Sequence, residues 1–338
     1  TQLSTLLNTY KTQKKNKEVN SQIIHVLQLI KMITSTNSWP VNKIEELCDI
    51  LLEISKTSDQ FLVSSAFGAF EGLFQSMTDV IDVEKFTRVL NVIFDLKPSI
   101  NDTHLAASWL AVVAKALESF ALLSPESCIS KLPTVLPIVS SYLSSESKDI
   151  YSSASQCLIA IVSQSIPDKF LLQPSPTNGI TGEIYETVDD AITYISKMIE
   201  DILFSIKYQN ATKDILEFTT ATILKLRSRA NPDFLDVLKN VGDWRTNETD
   251  NFPYNKEAED VIAASISSMG PEVVLSVLPL NLTGENGGPG RAWLLPLLRD
   301  NVRFAELDFY KNSILPNIEF FNTKIEQSKI GRASCRER

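Results

Sequence analysis

Small residues recur at nearly constant spacing along the first half of the chain, inside segments with the apolar pattern of helices. Ala66, Ser108 and Ala154 each lie in a serine- and alanine-rich cluster, and successive clusters are 42 and 46 residues apart. Small side chains let two helices approach closely, and HEAT and armadillo repeats have a period of ~40–47 residues. A chain of this kind buries its apolar faces by stacking successive helix pairs.

Apolar residues lie at the spacing of one helix face within each segment. Ile44, Leu47, Cys48 and Leu51 form such a face in one segment. The pattern predicts an all-α fold, a HEAT/armadillo-like right-handed helical-repeat solenoid (an α-α superhelix). An irregular helical bundle is the alternative that the pattern leaves open.

Prolines and glycines divide the chain. Ser124-Pro125-Glu126 predicts a short helical turn, and Leu132-Pro133 predicts the start of the next helix pair. The stretch Gln173–Glu186 contains two prolines, two glycines and no periodicity, so it is predicted to be a loop. We therefore expect HEAT-like repeats over 1–172, this loop over 173–186, and a second helical-repeat block over 187–329.

The composition argues against a membrane-spanning helix, and the two termini indicate a fragment. The chain is 43% apolar with a net charge of −9, and no apolar run reaches the ~18 residues that cross a bilayer. It begins at Thr1 without a methionine, so we expect a fragment of a longer protein. Residues 330–338 back-translate into a common sequencing adaptor, and we interpret this tail as non-biological.

The stretch Gly270–Asp300 concentrates chain-breaking and apolar residues. Gly270-Pro271 predicts the end of one helix and the start of another, because glycine closes helices and proline suits the first helical position. An apolar segment ends at Leu278-Pro279-Leu280, a glycine-rich loop follows from Gly284 to Gly290, and Arg291–Asp300 opens another apolar helix. Two short helices that are apolar on most sides must each be covered by neighbours.

No catalytic, cofactor or metal site is predicted. The loop Gly284–Gly290 follows a helix and lacks the Gly-Lys-Ser/Thr ending of a phosphate loop. The two histidines, His25 and His104, lie in separate repeats without a Ser or Cys partner, and the cysteines lack zinc-site spacing. Trp293 is predicted to be a core anchor rather than a ligand platform. We expect no enzymatic activity and no small-molecule substrate.

Three basic groups are candidates for contact with RNA. Their members include Lys14 and Lys15, then Lys225, Arg227 and Arg229, and finally Arg291, Arg299 and Arg303. A solvated loop and favourable charge at a helix C-terminus are the alternative interpretations, and the acidic composition argues against a nucleic-acid domain. Arg299 and Arg303 are the preferred pair, because a spacing of four residues places both on one helix face.

The same stretch carries a resemblance to a known family. GPE, LPL, the glycine-rich loop and RAWLLPLLRDNV resemble the signature of the ribosomal RNA-processing protein 12 family, HEAT-repeat proteins of the nucleolus. The resemblance covers roughly residues 187–321. Its motif residues, most of which we interpret as structural, are Gly270, Pro271, Glu272, Pro279, Arg291, Trp293, Leu294, Leu295, Pro296, Arg299 and Asp300.

The resemblance implies a nuclear and nucleolar factor that shuttles to the cytoplasm. It would join pre-ribosomal particles and support rRNA processing and nuclear export of ribosomal subunits. The partners it implies are rRNA, nuclear transport receptors and the Ran GTPase, with no membrane partner. The alternative is an importin-like transport receptor or a cytoplasmic HEAT adaptor that binds proteins only.

Overall fold

A computed structural model describes residues 2–12, 17–36, 38–78, 81–247, 252–283 and 288–334. In these ranges the chain is α-helical, with one isolated antiparallel bridge between Ser175 and Ile180. The helices are α1 (Gln2–Thr12), α2 (Lys17–Ser35), α3 (Ile44–Ser55), α4 (Gln60–Met77), α5 (Val83–Asp95), α6 (Ala106–Leu123), α7 (Pro125–Ser140), α8 (Lys148–Ser165), α9 (Gly182–Lys197), α10 (Thr212–Leu226), α11 (Leu235–Thr246), α12 (Asn255–Met269), α13 (Pro271–Val277), α14 (Leu294–Asn301), α15 (Leu307–Phe309) and α16 (Leu315–Ser334). Two compact units divide the chain, Thr1–Phe218 and Thr219–Arg338.

In the first unit the second helices of successive pairs stack on one another. Helices α2, α4, α6 and α8 pack in that order, while α3 and α7 pack on α4 and α8. Ser64 Oγ lies 3.4 Å from Ser108 Oγ, and the Cys157 thiol donates to the Leu110 carbonyl oxygen at 3.2 Å. Such approaches require small side chains at the helix contacts. The prediction of an all-α helical-repeat fold is confirmed.

Aromatic side chains connect the helix pairs through the interior. The Phe74 ring lies between Phe70 and Phe86 with centroid separations of 5.7 and 5.6 Å, and Phe86 stacks on Phe120 at 5.4 Å. All four are fully buried, and burial of each such side chain contributes roughly 1.5–3 kcal/mol. The core is therefore continuous from α4 through α5 to α6.

Helix α6 is the central core helix of this unit. Among the described residues it alone is long and apolar enough to span a membrane by length and composition. Its Trp109 is fully buried, donates from Nε1 to the Ile93 carbonyl oxygen at 2.8 Å, and packs 5.5 Å from the Tyr142 ring. The apolar character of α6 is thus used in packing against α4, α7 and α8.

Aspartates accept backbone hydrogen bonds at the starts of the second helices α4 and α6. Asp59 Oδ1 accepts from the backbone N–H groups of Phe61 and Leu62, at 3.0 and 3.2 Å. Asp102 Oδ1 accepts from the N–H of Leu105 at 3.0 Å, just before α6. These bonds satisfy amides that have no partner inside the helix.

Helix α7 differs from the prediction. It is one helix from Pro125 to Ser140, with Pro133 and Pro137 inside it, where the sequence predicted a short turn and a new start. Both prolines remove a helical hydrogen bond. One apolar face continues past them and is buried, and this burial offsets the lost bonds. Its members are Cys128, Ile129, Leu132, Val135, Leu136 and Val139.

The predicted loop 173–186 is shorter than expected at its C-terminal end. Helix α9 begins at Gly182, because Thr181 Oγ1 accepts a hydrogen bond from the Ile184 N–H at 3.2 Å and starts the helix. Asn178 Oδ1 accepts from the Ile180 N–H at 3.0 Å and closes the turn before it. The boundary between the two compact units falls inside α10, and the division of the chain at 173–186 stays a prediction.

The second unit is centred on α12, which packs against α11, α13 and α14. As predicted, Gly270 ends α12 and Pro271 begins α13. The expectation that both short helices are covered on most sides is wrong for α14, which buries Leu294 and Leu298 but leaves Leu295 44% exposed. After an extended segment, α15 continues through a π-helical turn, Tyr310–Ile314, into α16.

Candidate functional site

The family-like motif begins with a tight turn between α12 and α13. Gly270 has a φ of 94°, a left-handed conformation that favours glycine. A Cβ at this position would lie 3.0 Å from the Phe304 ring. Glu272 Oε1 accepts a hydrogen bond from the Glu306 N–H at 2.9 Å. The turn is therefore fixed against the segment that follows α14.

Arg291 joins the two ends of the glycine-rich loop. Its backbone N–H donates to the Leu280 carbonyl oxygen at 2.8 Å, and its Nη1 donates to the Pro279 carbonyl oxygen at 3.0 Å. Its Nη2 donates to Asp243 Oδ1 on α11 at 3.2 Å. The residue is 7% exposed. Arg291 is thus a buried internal cross-link and is not available to a phosphate backbone.

Trp293 is half-buried at the start of α14 rather than fully inside the core. The Arg245 guanidinium lies 5.1 Å from the centre of its ring, and Arg245 Nε donates to Glu259 Oε1 at 2.7 Å. Among the described residues, the buried Trp293 Nε1 finds no hydrogen-bond acceptor. The indole thus packs under a cation that a carboxylate of α12 holds in place.

Arg299, Asp300 and Pro296 lie on the exposed side of α14. Arg299 donates from Nε and Nη2 to the two carboxylate oxygens of Asp300, at 2.7 and 2.9 Å. This hydrogen bonding raises the pKa of Arg299 and lowers the pKa of Asp300. The guanidinium therefore remains charged but has an anionic partner beside it.

The predicted helical pairing of Arg299 with Arg303 is wrong. Helix α14 ends at Asn301, whose Nδ2 donates to the Leu297 carbonyl oxygen at 2.9 Å, and Val302 is extended with a φ of −65° and a ψ of 120°. Arg303 therefore lies in an extended segment, where the four-residue spacing does not place it on the face of Arg299. Both side chains are exposed.

The basic group after α10 does not form one exposed surface. Lys225 is half-buried in the last turn of α10, Arg227 is exposed with a φ of 56°, and Arg229 is 9% exposed. Burial removes Arg229 from any surface that could meet RNA. The candidates Lys14 and Lys15 lie outside the described residues.

The described residues contain no group of three or more His, Cys, Asp or Glu side chains that could hold a metal ion. Cys48, Cys128 and Cys157 are buried free thiols. Burial raises the pKa of Cys48 to about 12 and of Cys128 to about 11, and it raises the pKa of Cys157 as well. Because the thiolate is the reactive form, these three side chains are poor nucleophiles at neutral pH.

A groove that the sequence reasoning missed crosses α4, α6 and α8. Its volume is about 590 Å³, and alanine and serine side chains form much of its lining. The sequence pattern predicts packing contacts for the small-residue clusters. Ser64 and Ser108 do make such a contact, but alanines on the next turns, such as Ala111, face the groove. Glu118 lies four residues after Ala114 on the same face of α6. A charged residue at this spacing is the sequence signal that could have indicated an exposed groove.

Comparisons with known proteins agree with the helical repeats. The HEAT-repeat profile of ribosomal RNA-processing protein 12 matches residues 144–336. Ribosomal RNA-processing protein 12 of Saccharomyces cerevisiae is 42% identical over 323 residues, which is 94% of this chain and 26% of that protein. The human RRP12-like protein is 24% identical over 303 residues, or 87% of this chain and 22% of the relative. The chain thus spans about a quarter of the length of these relatives.

A solved structure of an engineered protein superposes on 82% of this chain and 98% of its own, with a TM-score of 0.41 and 14% identity. A second engineered protein covers 83% of this chain and 72% of its own, with a TM-score of 0.33 and 13% identity.

Proposed function

The chain belongs to the ribosomal RNA-processing protein 12 family of HEAT-repeat proteins, and we propose that it is a non-catalytic scaffold segment in ribosome biogenesis. In this role the longer protein associates with pre-ribosomal particles and supports rRNA processing. The family match over residues 144–336 is the observation that carries the proposal. Stacked helix pairs suit such a role because they offer extended surfaces to partners.

The chemistry of the described side chains supports a role without catalysis. The buried thiols have raised pKa values, and the His104 ring packs beside the Phe61 ring with a centroid separation of 6.2 Å. Most motif residues contact their own chain, as Arg291 does with Asp243. Such residues contribute to the shape of the surface rather than to a reaction.

The finer parts of the proposal concern location and partners. The protein acts in the nucleus and nucleolus, supports nuclear export of ribosomal subunits with nuclear transport receptors and the Ran GTPase, and shuttles to the cytoplasm. These parts follow from the family resemblance.

Depletion in the source cells tests this function. Loss of the full-length protein should cause precursor rRNA to accumulate on northern blots, and the tagged protein should co-sediment with pre-ribosomal particles. Re-expression of the wild-type protein and of an Arg299→Ala variant, which alters an exposed ion pair, should both restore processing. Normal precursor levels after complete depletion would rule the proposal out.

The second candidate is a HEAT protein that contacts proteins only. The ion pairing of Arg299 and the burial of Arg229 and Arg291 favour it for this segment. It predicts that a transport receptor or ribosomal protein binds the purified chain while single-stranded rRNA fragments do not. RNA retention at low salt, lost as salt rises, would instead support direct rRNA contact.

A further inference from the structure

The groove across α4, α6 and α8 has an open floor of small side chains. Ala107, Ala111 and Ala114 of α6 and Ala160 of α8 line it. The first three follow helical spacing along one face of α6, and Lys115 and Glu118 continue that face beyond the alanines. Another backbone can approach such a floor closely.

The charges around the groove are mostly negative. Glu71, Glu118 and Asp149 come from three different helices, and Lys115 is the one cation among the described residues that line it. Lys115 Nζ lies 3.0 Å from Glu118 Oε2, and Glu71 is paired with Lys31 from outside the groove at 3.0 Å. Asp149 is exposed in the first turn of α8. The lining therefore retains an excess of carboxylates.

The serines beside these carboxylates are already engaged. Ser152 Oγ donates to Asp214 Oδ1 at 2.7 Å, and Ser153 Oγ donates to the Asp149 backbone carbonyl oxygen at 2.6 Å. The backbone groups of α4, α6 and α8 are used within their own helices. An extended peptide would find no free backbone edge with which to pair, whereas a helix satisfies its own backbone groups.

We propose that the α4–α6–α8 groove docks a basic amphipathic helix of a partner protein. The small side chains of the helix would rest on the alanine floor, and its Lys and Arg side chains would reach Glu71, Glu118 and Asp149. Complementary charge favours such a partner, while the same carboxylates repel the phosphates of RNA. The proposal rests on the non-catalytic binding role proposed above and names the kind of partner.

The test uses the purified 338-residue chain and a fluorescein-labelled helical peptide of about 20 residues, long enough to cross three packed helices. The peptide has Lys on one face and Ala and Leu on the other. Fluorescence anisotropy compares the wild type with Glu118→Lys/Asp149→Lys. The matched control, Glu84→Lys/Asp95→Lys, makes the same charge change on exposed residues of α5. Ala111→Gln/Ala114→Gln fills the floor without changing charge.

We expect saturable peptide binding that both groove variants weaken about tenfold or more, because the removed charges and the filled floor both oppose docking, while the α5 control binds like the wild type. Circular dichroism confirms folding of each variant. Equal affinity in all variants, or no binding by the wild type, would overturn the proposal. So would a labelled single-stranded RNA whose binding the groove variants reduce while peptide binding is unchanged. Precursor rRNA processing in cells is a separate readout, so either proposal can fail alone.

Discussion

At the scale of single residues, Arg291 shows why charge alone is a poor guide to function. Its guanidinium meets a backbone carbonyl and the carboxylate of Asp243, and both contacts cross long stretches of sequence. Arg299, eight residues later, is 75% exposed in its side chain and is paired with its neighbour Asp300. The sequence pattern does not distinguish the two arginines. Burial gives Arg291 a structural role and leaves Arg299 at the surface.

Replacement of Arg291 should therefore destabilise the second unit. Arg291→Ala removes the side-chain hydrogen bonds to the Pro279 carbonyl oxygen and to Asp243 and leaves unfilled the buried space of a side chain that is 7% exposed, so we expect the free energy of unfolding to fall by about 2–3 kcal/mol. Urea unfolding followed by circular dichroism measures it. The matched Arg299→Ala should leave the midpoint unchanged, since exposed pairs contribute little. Equal midpoints for both variants would show that the contacts of Arg291 do not contribute to stability.

Gly242 is a second position where the addition of one atom should change stability. A Cβ there would lie 2.4 Å from Leu278 Cδ2, so Gly242→Ala should cost about 1–3 kcal/mol through overpacking between α11 and the end of α13. At Gly182, the first position of α9, an added Cβ would have no neighbour within 4 Å, so Gly182→Ala should be neutral or slightly stabilising. Thermal denaturation compares the two. A destabilised Gly182→Ala with an unaffected Gly242→Ala would contradict this packing.

At the scale of helices, a capping side chain can be predicted from neighbouring residues, whereas a contact between residues far apart in the sequence cannot. Asp59 caps α4 because the N–H groups that it accepts from lie two and three residues away, and such a cap can be predicted from spacing. The burial of Arg291 depends on Asp243, 48 residues earlier. No proline or glycine marks the end of α14 at Asn301 in the sequence. The prediction that Arg299 and Arg303 share a helix face was therefore wrong. The prolines of α7 misled because burial outweighed their cost.

The buried thiols of α3 and α7 should make the free energy of unfolding decrease as the pH becomes alkaline. Burial raises the pKa of Cys48 to about 12 and of Cys128 to about 11, whereas an unfolded thiol titrates near ~8.5. Their contribution is complete below ~8.5 and declines as pH rises towards the folded values, by about 1.4 kcal/mol per pH unit for each thiol. Urea midpoints between about pH 8 and 10 measure the slope. Cys48→Ala/Cys128→Ala should reduce it, and an unchanged slope would contradict thiol burial.

At the scale of the whole molecule, the net charge of −9 limits contact with RNA. The exposed candidates Arg299 and Arg303 are near each other in sequence, but Arg299 lies in α14 and Arg303 lies in the segment after it. They could neutralise two phosphates at most. Through Arg299 and Arg303 we therefore propose at most weak and local contact with rRNA, with proteins as the more suitable partners.

If Arg299 and Arg303 contact single-stranded rRNA, the salt dependence should be shallow. Two phosphate contacts give a slope of about −1.4 in a plot of log affinity against log salt. Arg299→Glu/Arg303→Glu should weaken binding and flatten this slope, with unchanged circular dichroism. Lys239→Glu/Lys256→Glu makes the same charge change on exposed residues of α11 and α12. Equal loss in both variants would show non-specific attraction instead of a site.

The cross-link at Arg291 also has a consequence for how this chain can change over evolution. Because its backbone N–H meets the Leu280 carbonyl oxygen, the two ends of the connection are fastened to each other independently of what lies between them. Lengthening a closed connection costs only about 0.6 kcal/mol for each doubling. Insertions between Asn281 and Gly290 should accordingly be inherited with little effect on the helices, and this connection is a natural place for lineages to acquire new sequence.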